Sequence, residues 1–207
     1  MEDLRCSKSP IIKIHRVVNS ICSSNSYILE RIGSNEVWLI DVGDLDNIMK
    51  YCEGKEVKGV LITHTHFDHI YGLNRLIDVF RECVIVVSEK GSLGLYDDKL
   101  NLSKYHHDSF KLSRGNVVVV KDSDRMTLFN DVELITVETP GHDWSCLTYL
   151  IEDNVITGDS YIPGLKIVTS FPKSDKKEAE CSLKKIISLV RGKNLYPGHG
   201  SFYLDYH

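Results

Sequence analysis

The stretch Gly59-Val60-Leu61-Ile62-Thr63-His64-Thr65-His66-Phe67-Asp68-His69 decides the reading of this chain. A short apolar run, of the kind a buried strand makes, leads straight into a cluster of metal-ligand side chains. His64 and His66 are two residues apart, so on an extended chain both imidazoles point the same way and can reach one metal. Asp68 and His69 follow where a helix should begin. They face the same cleft from another angle, placed for a second metal. Three more donors sit in similar strand-to-turn contexts: His142 in Thr139-Pro140-Gly141-His142, Asp159 in Thr157-Gly158-Asp159-Ser160, and His199 in Pro197-Gly198-His199-Gly200. Each follows an apolar strand and stands beside glycine, which lets the backbone turn sharply. Imidazoles and carboxylates in this number, held on strand ends, are the donor set of a two-metal hydrolytic centre. A lone histidine after a strand is usually a satisfied polar group. A His-x-His-x-Asp-His run with three matched partners is a different case.

The chain has 207 residues, of which 42% are hydrophobic, so it can bury a sizeable core within one domain spanning 1–207. A net charge of -4 argues against general nucleic-acid binding; the expected partner, a small-molecule substrate, follows from the site and not from the charge. Cys6, Cys22, Cys52, Cys83, Cys146 and Cys181 are scattered, with no Cys-x-x-Cys pair. A core of this size needs no disulfides, and reduced thiols in the cytoplasm are expected. Residues 1–5 are polar, with no apolar leader segment, and no apolar run approaches the roughly 20 residues of a membrane span.

Period-two patterns predict strands over 11–18, 26–31, 37–41, 60–63, 84–88, 117–120, 132–137, 147–151 and 155–157. Helical spacing predicts helices over 44–52, 69–80 and 175–190. In the last, Asp175 with Glu178 reads as a capping box, Leu183, Ile186, Ile187 and Val190 form the apolar stripe, and Gly192 ends it. The segment 89–114 shows no clean period, and reads as a lid over the site or a plain surface excursion. The run Glu36-Val37-Trp38-Leu39-Ile40-Asp41-Val42-Gly43 is echoed by Asp153-Asn154-Val155-Ile156-Thr157-Gly158-Asp159. Strands and helices repeated in two halves suggest an α/β protein with two packed sheets and helices outside.

These residues resemble the metallo-β-lactamase superfamily, and within it the glyoxalase II-like hydrolases. The resemblance runs through Asn25-Ser26-Tyr27, Ile40-Asp41-Val42-Gly43, the His64 to His69 run, Thr139 to His142, Gly158-Asp159 and Pro197 to Gly200, in that order. It implies an αββα four-layer sandwich with the metals at one edge of two mixed sheets. It implies that His64, His66 and His142 bind a first metal, that Asp68, His69 and His199 bind a second, and that Asp159 bridges them. Asp41 would support these ligands from behind, and Asp68 would also orient the nucleophile and relay its proton. Two divalent ions are implied, zinc by default, with iron and manganese also fitting such donors. A hydroxide held between them would attack an ester, thioester or lactone. Glyoxalase II carries a further helical domain for glutathione; this sequence ends at His207, which sets hydroxyacylglutathione aside as the expected substrate.

The rival readings share the motif. One is a phosphodiesterase on the same two metals. Another is a persulfide dioxygenase with a single iron, and a third is a binding protein that keeps its metals without turnover. Tyr161 and Trp144 are candidate substrate contacts, and Lys166, Lys173, Lys176 and Lys177 are candidates to steer an anion. His106 and His107 read as a solvated pair, and Cys146 as a small buried thiol. Domains of this kind commonly pair as homodimers.

Overall fold

The computed structural model describes residues 12–106 and 108–207. Cys6, the polar segment 1–5, Ile11 and His107 lie outside them. The chain lays down one sheet and then the other. Strands β1 (Ile12–Val18), β2 (Asn25–Arg31), β3 (Glu36–Ile40), β4 (Glu56–Leu61), β5 (Val84–Ser88) and β6 (Asn116–Val120) pair in sequence order. Strands β7 (Arg125–Leu128), β8 (Val132–Glu138), β9 (Leu147–Ile151), β10 (Asn154–Gly158), β11 (Lys193–Pro197) and β12 (Tyr203–Tyr206) form the second sheet, again in order. Both sheets are mixed. β1 to β3 are antiparallel and β3 to β6 parallel, while in the second sheet only β10 and β11 run parallel.

Strand alternation sorts the apolar side chains into layers. Tyr27, Leu29, Trp38, Ile40, Leu61 and Val86 face inward from the first sheet and meet Leu134, Leu147, Tyr149, Ile151 and Ile156 of the second. The alternate residues, Ile28, Val37, Leu39, Val60, Ile85 and Val87, face outward and pack under α1 (Leu45–Cys52) and α3 (Leu73–Val79). On the far side, Val155 and Leu195 pack under Ile186 and Val190 of α5 (Lys176–Val190). The result is the four-layer αββα sandwich that the family resemblance implies. Each such aliphatic side chain, once buried, contributes roughly 1.5–3 kcal/mol.

The strands predicted over 84–88 and 147–151 match in both bounds, and the other predicted strands shift by a few residues at their ends. Asp175 caps α5, accepting from the amides of Lys177 and Glu178 at 2.8 and 2.9 Å. The buried face of α5 is Ala179, Ser182, Ile186 and Val190, so Leu183 and Ile187 sit at its margin. The single helix predicted over 69–80 is two: α2 (Phe67–Ile70) and α3. Gly72 breaks it, because its amide donates to Val42 O at 2.9 Å and a side chain there would strike Gly43 O. Within 89–114 there is a short helix, α4 (Glu89–Gly94), and one turn of tighter helix at Ser103–Tyr105. No helix of the described residues is long and apolar enough to cross a membrane.

Candidate metal centre

The first sheet delivers its donors from the end of β4. Leu61 is the last paired residue, and Thr63, His64, Thr65 and His66 continue beyond it in buried, open chain. The second sheet seals this segment. Leu147 N donates to Thr63 O, Tyr149 Oη donates to Ile62 O, both at 2.7 Å, and Thr65 N donates to Ser145 Oγ. From β8 and β10 come the turns that carry His142 and Asp159. The turn carrying His199 follows β11 and is bound back to β2. There Asn25 Nδ2 and Tyr27 Oη both donate to Pro197 O, at 2.9 and 2.6 Å, and Asn25 N donates to Gly198 O. Asn25 and Tyr27 are thus the clasp between the two sheets at this edge. Gly198 has to be glycine, since a Cβ would lie 2.1 Å from Asp159 Oδ1.

All seven predicted donors converge. His64, His66 and His142 form one group, His64, His69 and Asp159 a second, and Asp68, His69 and His199 a third. Within each group the ligand atoms lie within 4.8 Å of one another. His66 Nδ1 and His142 Nε2 face each other at 3.0 Å. Asp159 spans the groups: its Oδ2 is 3.5 Å from His142 Nε2 and 3.3 Å from His199 Nε2, and its Oδ1 is 3.6 Å from His69 Nε2. Asp68 Oδ2 sits 3.5 Å from His69 Nε2 and 3.4 Å from His199 Nε2.

The outer nitrogens of four imidazoles are held from behind. Asp41 Oδ2 accepts from His69 Nδ1 at 2.8 Å, Val168 O from His142 Nδ1 at 3.0 Å, and Cys22 O from His199 Nδ1 at 3.2 Å. Thr63 Oγ1 gives its proton to Asp41 Oδ2 at 2.7 Å, so its lone pair accepts from His64 Nδ1 at 3.2 Å. Each acceptor favours a proton on Nδ1, so Nε2 is the atom turned into the centre and the one that would hold a cation. Asp41 is therefore behind both His69 and, through Thr63, His64.

A buried polar atom without a partner is costly. Among the described residues His64 Nε2, His69 Nε2 and Asp159 Oδ1 have no hydrogen-bond partner although all are buried. Cations would satisfy these atoms, so the donor set fits metal ions on its own chemistry. The electrostatics agree. Burial, followed by the neighbouring imidazoles, pushes His64 well below its ordinary pKa, and burial also lowers His142. Burial would lower His69 too, but Asp68, Asp41 and Asp159 reverse this and raise it to about 9. At His199 the same contest ends at about 10, through Asp159 and Asp68. Burial opposes ionisation of Asp159, yet His199, His69 and His142 hold its pKa far down.

Several participants give no sequence signal of their own. Asp143, next to His142, is buried; its Oδ1 accepts from Ser145 N at 2.9 Å and its Oδ2 lies 3.5 Å from His66 Nε2. An acid beside a ligand was the only clue to it. Phe171 covers the centre, with its ring 5.0 Å from His66 and 5.6 Å from His142. Thr63, Cys22 O and Val168 O act through contacts no pattern reveals. The predicted substrate contacts have partners within the protein. Tyr161 pairs its hydroxyl with Tyr206, and Trp144 lies beneath Lys173, whose Nζ is 4.4 Å from the ring centre. His106 is exposed and rests 4.9 Å from Phe67, and Cys146 is buried, its thiol pushed well up by that burial. Cys22, Cys52, Cys83, Cys146 and Cys181 are all unpaired.

Comparison with known proteins gives the same picture. Residues 20–199 match the metallo-β-lactamase superfamily. A probable metallo-hydrolase of Streptococcus pyogenes is 28% identical, over 92% of this chain and 84% of its own length. A hydroxyacylglutathione hydrolase of Hydrogenovibrio crunogenus is 24% identical over 85% of this chain, but only 58% of that enzyme is covered. The crystal structure of BLEG-1, a B3 metallo-β-lactamase, superposes with a TM-score of 0.85 at 21% identity, covering 92% of this chain and 93% of that one. A protein crystallised in a di-iron-bound form follows at 0.78 and 22%, with 92% and 94% covered.

Proposed function

The chain belongs to the metallo-β-lactamase superfamily, and on that premise we propose that it is a dinuclear metal-dependent hydrolase cleaving an ester, thioester or lactone bond in a small molecule. One observation carries the reading: two groups of donors, joined by Asp159, leave buried lone pairs aimed at shared points. His64, His66 and His142 hold the first cation in this reading, and Asp68, His69 and His199 the second. Asp159, near His142, His69 and His199, would join the two, and Asp41 lies behind both sets. The whole chain then works as one hydrolase domain, because each of the two sites draws on both sheets.

When bound, two divalent ions, zinc by default, would supply a water acidified to a pKa of about 7 and a positive field for the developing oxyanion. The protein's own residues do the rest. Asp68 Oδ2, between His69 and His199, orients the attacking water and takes its proton. In the metal-free centre burial opposes ionisation of Asp159, yet His199, His69 and His142 keep it ionised. Phe171 packs its ring edge-on against His66 and His142. An Asp68→Ala variant that kept both metals and full activity would rule out the role given to Asp68.

Elemental analysis of protein purified without chelator is the test. About two zinc ions per chain, with hydrolysis of thioesters or lactones, is the expected result. Hydrolysis of bis-p-nitrophenyl phosphate instead would move the reading to a phosphodiesterase. About one iron per chain, with oxygen uptake on glutathione persulfide, would replace it with a dioxygenase.

A further inference from the structure

We propose that the cavity beside His66 receives the substrate and selects one that carries a negative charge, with Lys99 and Lys173 as the recognition residues. The inference rests on the hydrolase reading and names its substrate class: a short anionic ester or thioester. The cavity measures about 230 Å³. That is room for about eight waters, or a ligand of roughly ten non-hydrogen atoms. His66 opens onto it, and Leu100, Leu102 and Phe171 make its apolar wall. The reacting end of a ligand seated here would therefore lie against the metal centre, and its chain against the apolar wall.

Both lysines line this cavity, and they come from different segments. Each stands on pinned backbone. Around Lys99, Asp97 Oδ1 accepts from Lys99 N and Leu100 N, while buried Asn101 donates to Gly94 O and Phe110 O. Lys173 is held over the Trp144 ring, and its neighbour Ser174 donates from Oγ to His142 O. Elsewhere Lys55, Lys58, Lys111 and Lys185 are neutralised by carboxylates. Among the described residues Lys99 and Lys173 have no such ion pair, as is also true of Lys121, Lys166, Lys176 and Lys177, and they are set apart by lining this cavity. The acid that does line the cavity, Asp143, is turned to Ser145 and His66. Two unpaired ammonium groups around an apolar slot next to a hydrolytic centre suit an anion-bearing acyl compound. The segment 89–114, which has no sequence period, thus supplies one wall of the pocket.

The metal-loaded protein is offered three short thioesters, one neutral and two charged. These are butyryl-N-acetylcysteamine, succinyl-N-acetylcysteamine, and the acetyl ester of 3-mercaptopropionate. The second carries its charge on the acyl side and the third on the leaving group. At least one charged thioester should exceed the neutral one about tenfold in kcat/KM. Lys99→Gln and Lys173→Gln should each cut that charged-to-neutral ratio about fivefold, the size of one unit-charge attraction at about 4 Å in water. The loss should appear in KM. Equal rates on all three, or ratios unmoved by both variants, would overturn the proposal. A non-hydrolysable succinyl thioether gives a second readout through Trp144 fluorescence. If no thioester is cleaved but the thioether binds saturably, and Lys173→Gln abolishes it, the pocket stands and the hydrolase reading falls. If the thioether does not bind either, both fall.

Discussion

Replacing Asp41 by asparagine tests the centre through a residue set behind it. Asp41 has φ +52°, a left-handed conformation that asparagine also tolerates, so the backbone should hold. Oδ1 keeps its bond from Thr63 N, 2.8 Å in the native protein. The other position changes from an oxygen accepting two protons to an amide donating two. Thr63 Oγ1 can turn its proton away. His69 Nδ1 must then accept, which moves the ring proton to Nε2, the atom facing Asp68 and Asp159. A protonated Nε2 has no lone pair for a cation. Losing a hydrogen bond to a charged group costs about 1.5–3 kcal/mol. Supporting partners behind metal ligands typically set 10–100-fold in affinity, or about 1.4–2.7 kcal/mol. The two ranges agree, so the expected loss is about 10–100-fold for the group of Asp68, His69 and His199. His64 feels Asp41 only through Thr63, so the first group should lose less. Competition against a chromophoric chelator measures both, with a thermal melt to confirm folding. Native affinity for both equivalents in a folded variant would refute the tautomer argument.

Four further outcomes follow from the same geometry. At pH 7 the metal-free centre holds protons on His69 and His199, whose pKa values are raised to about 9 and 10. Loading should release about two protons, and affinity should climb with pH until both are passed; calorimetry in buffers of different ionisation heat reads this, and no release would contradict it. The sign for stability is opposite. Because these folded pKa values lie above the ordinary 6.5, their contribution is full below about pH 6.5 and fades toward pH 10, so the melting temperature of chelated protein should fall over that range. Gly198→Ala places a Cβ 2.1 Å from Asp159 Oδ1 and 2.9 Å from the Gly158 carbonyl carbon, and should cost about 1–3 kcal/mol in denaturant titration together with bound metal. Asp143→Ala removes the acid 3.5 Å from His66 Nε2 and should weaken the first metal about 10–100-fold; unchanged affinity would leave Asp143 a merely structural role.

How much of this was legible in sequence depended on where the information lies. The donors sit in local runs, and period two fixes which way His64 and His66 point, so the donor set could be read directly. Asp41 came through the family resemblance. Strands such as β4 and β9 announce themselves because both faces or one face are buried. β7, β11 and β12 did not, because Arg125–Leu128 is short, Lys193–Pro197 is polar and ends at proline, and Tyr203–Tyr206 is an exposed edge. Pairing makes them strands, and pairing is non-local. Thr63, Cys22 and Val168 were invisible for a related reason: two of the three act through backbone carbonyls, which every residue has. The substrate candidates Tyr161 and Trp144 were chosen for closeness in sequence to a ligand. Space assigned Tyr161 to Tyr206 and Trp144 to Lys173.

The donors also divide along the chain. His64, His66, Asp68 and His69 belong to the first sheet, and His142, Asp159 and His199 to the second. A cation held by either outer group would be gripped from both sides of the sandwich, so only the closed sandwich would be its ligand. Its binding energy would then act as a latch on this edge, worth about 4 kcal/mol at a thousandfold excess over Kd. Under metal starvation the seam between Thr63 and Leu147 would open first, exposing the His64–His69 segment to proteases. The lifetime of the protein would then follow its metal supply, with no separate sensor needed.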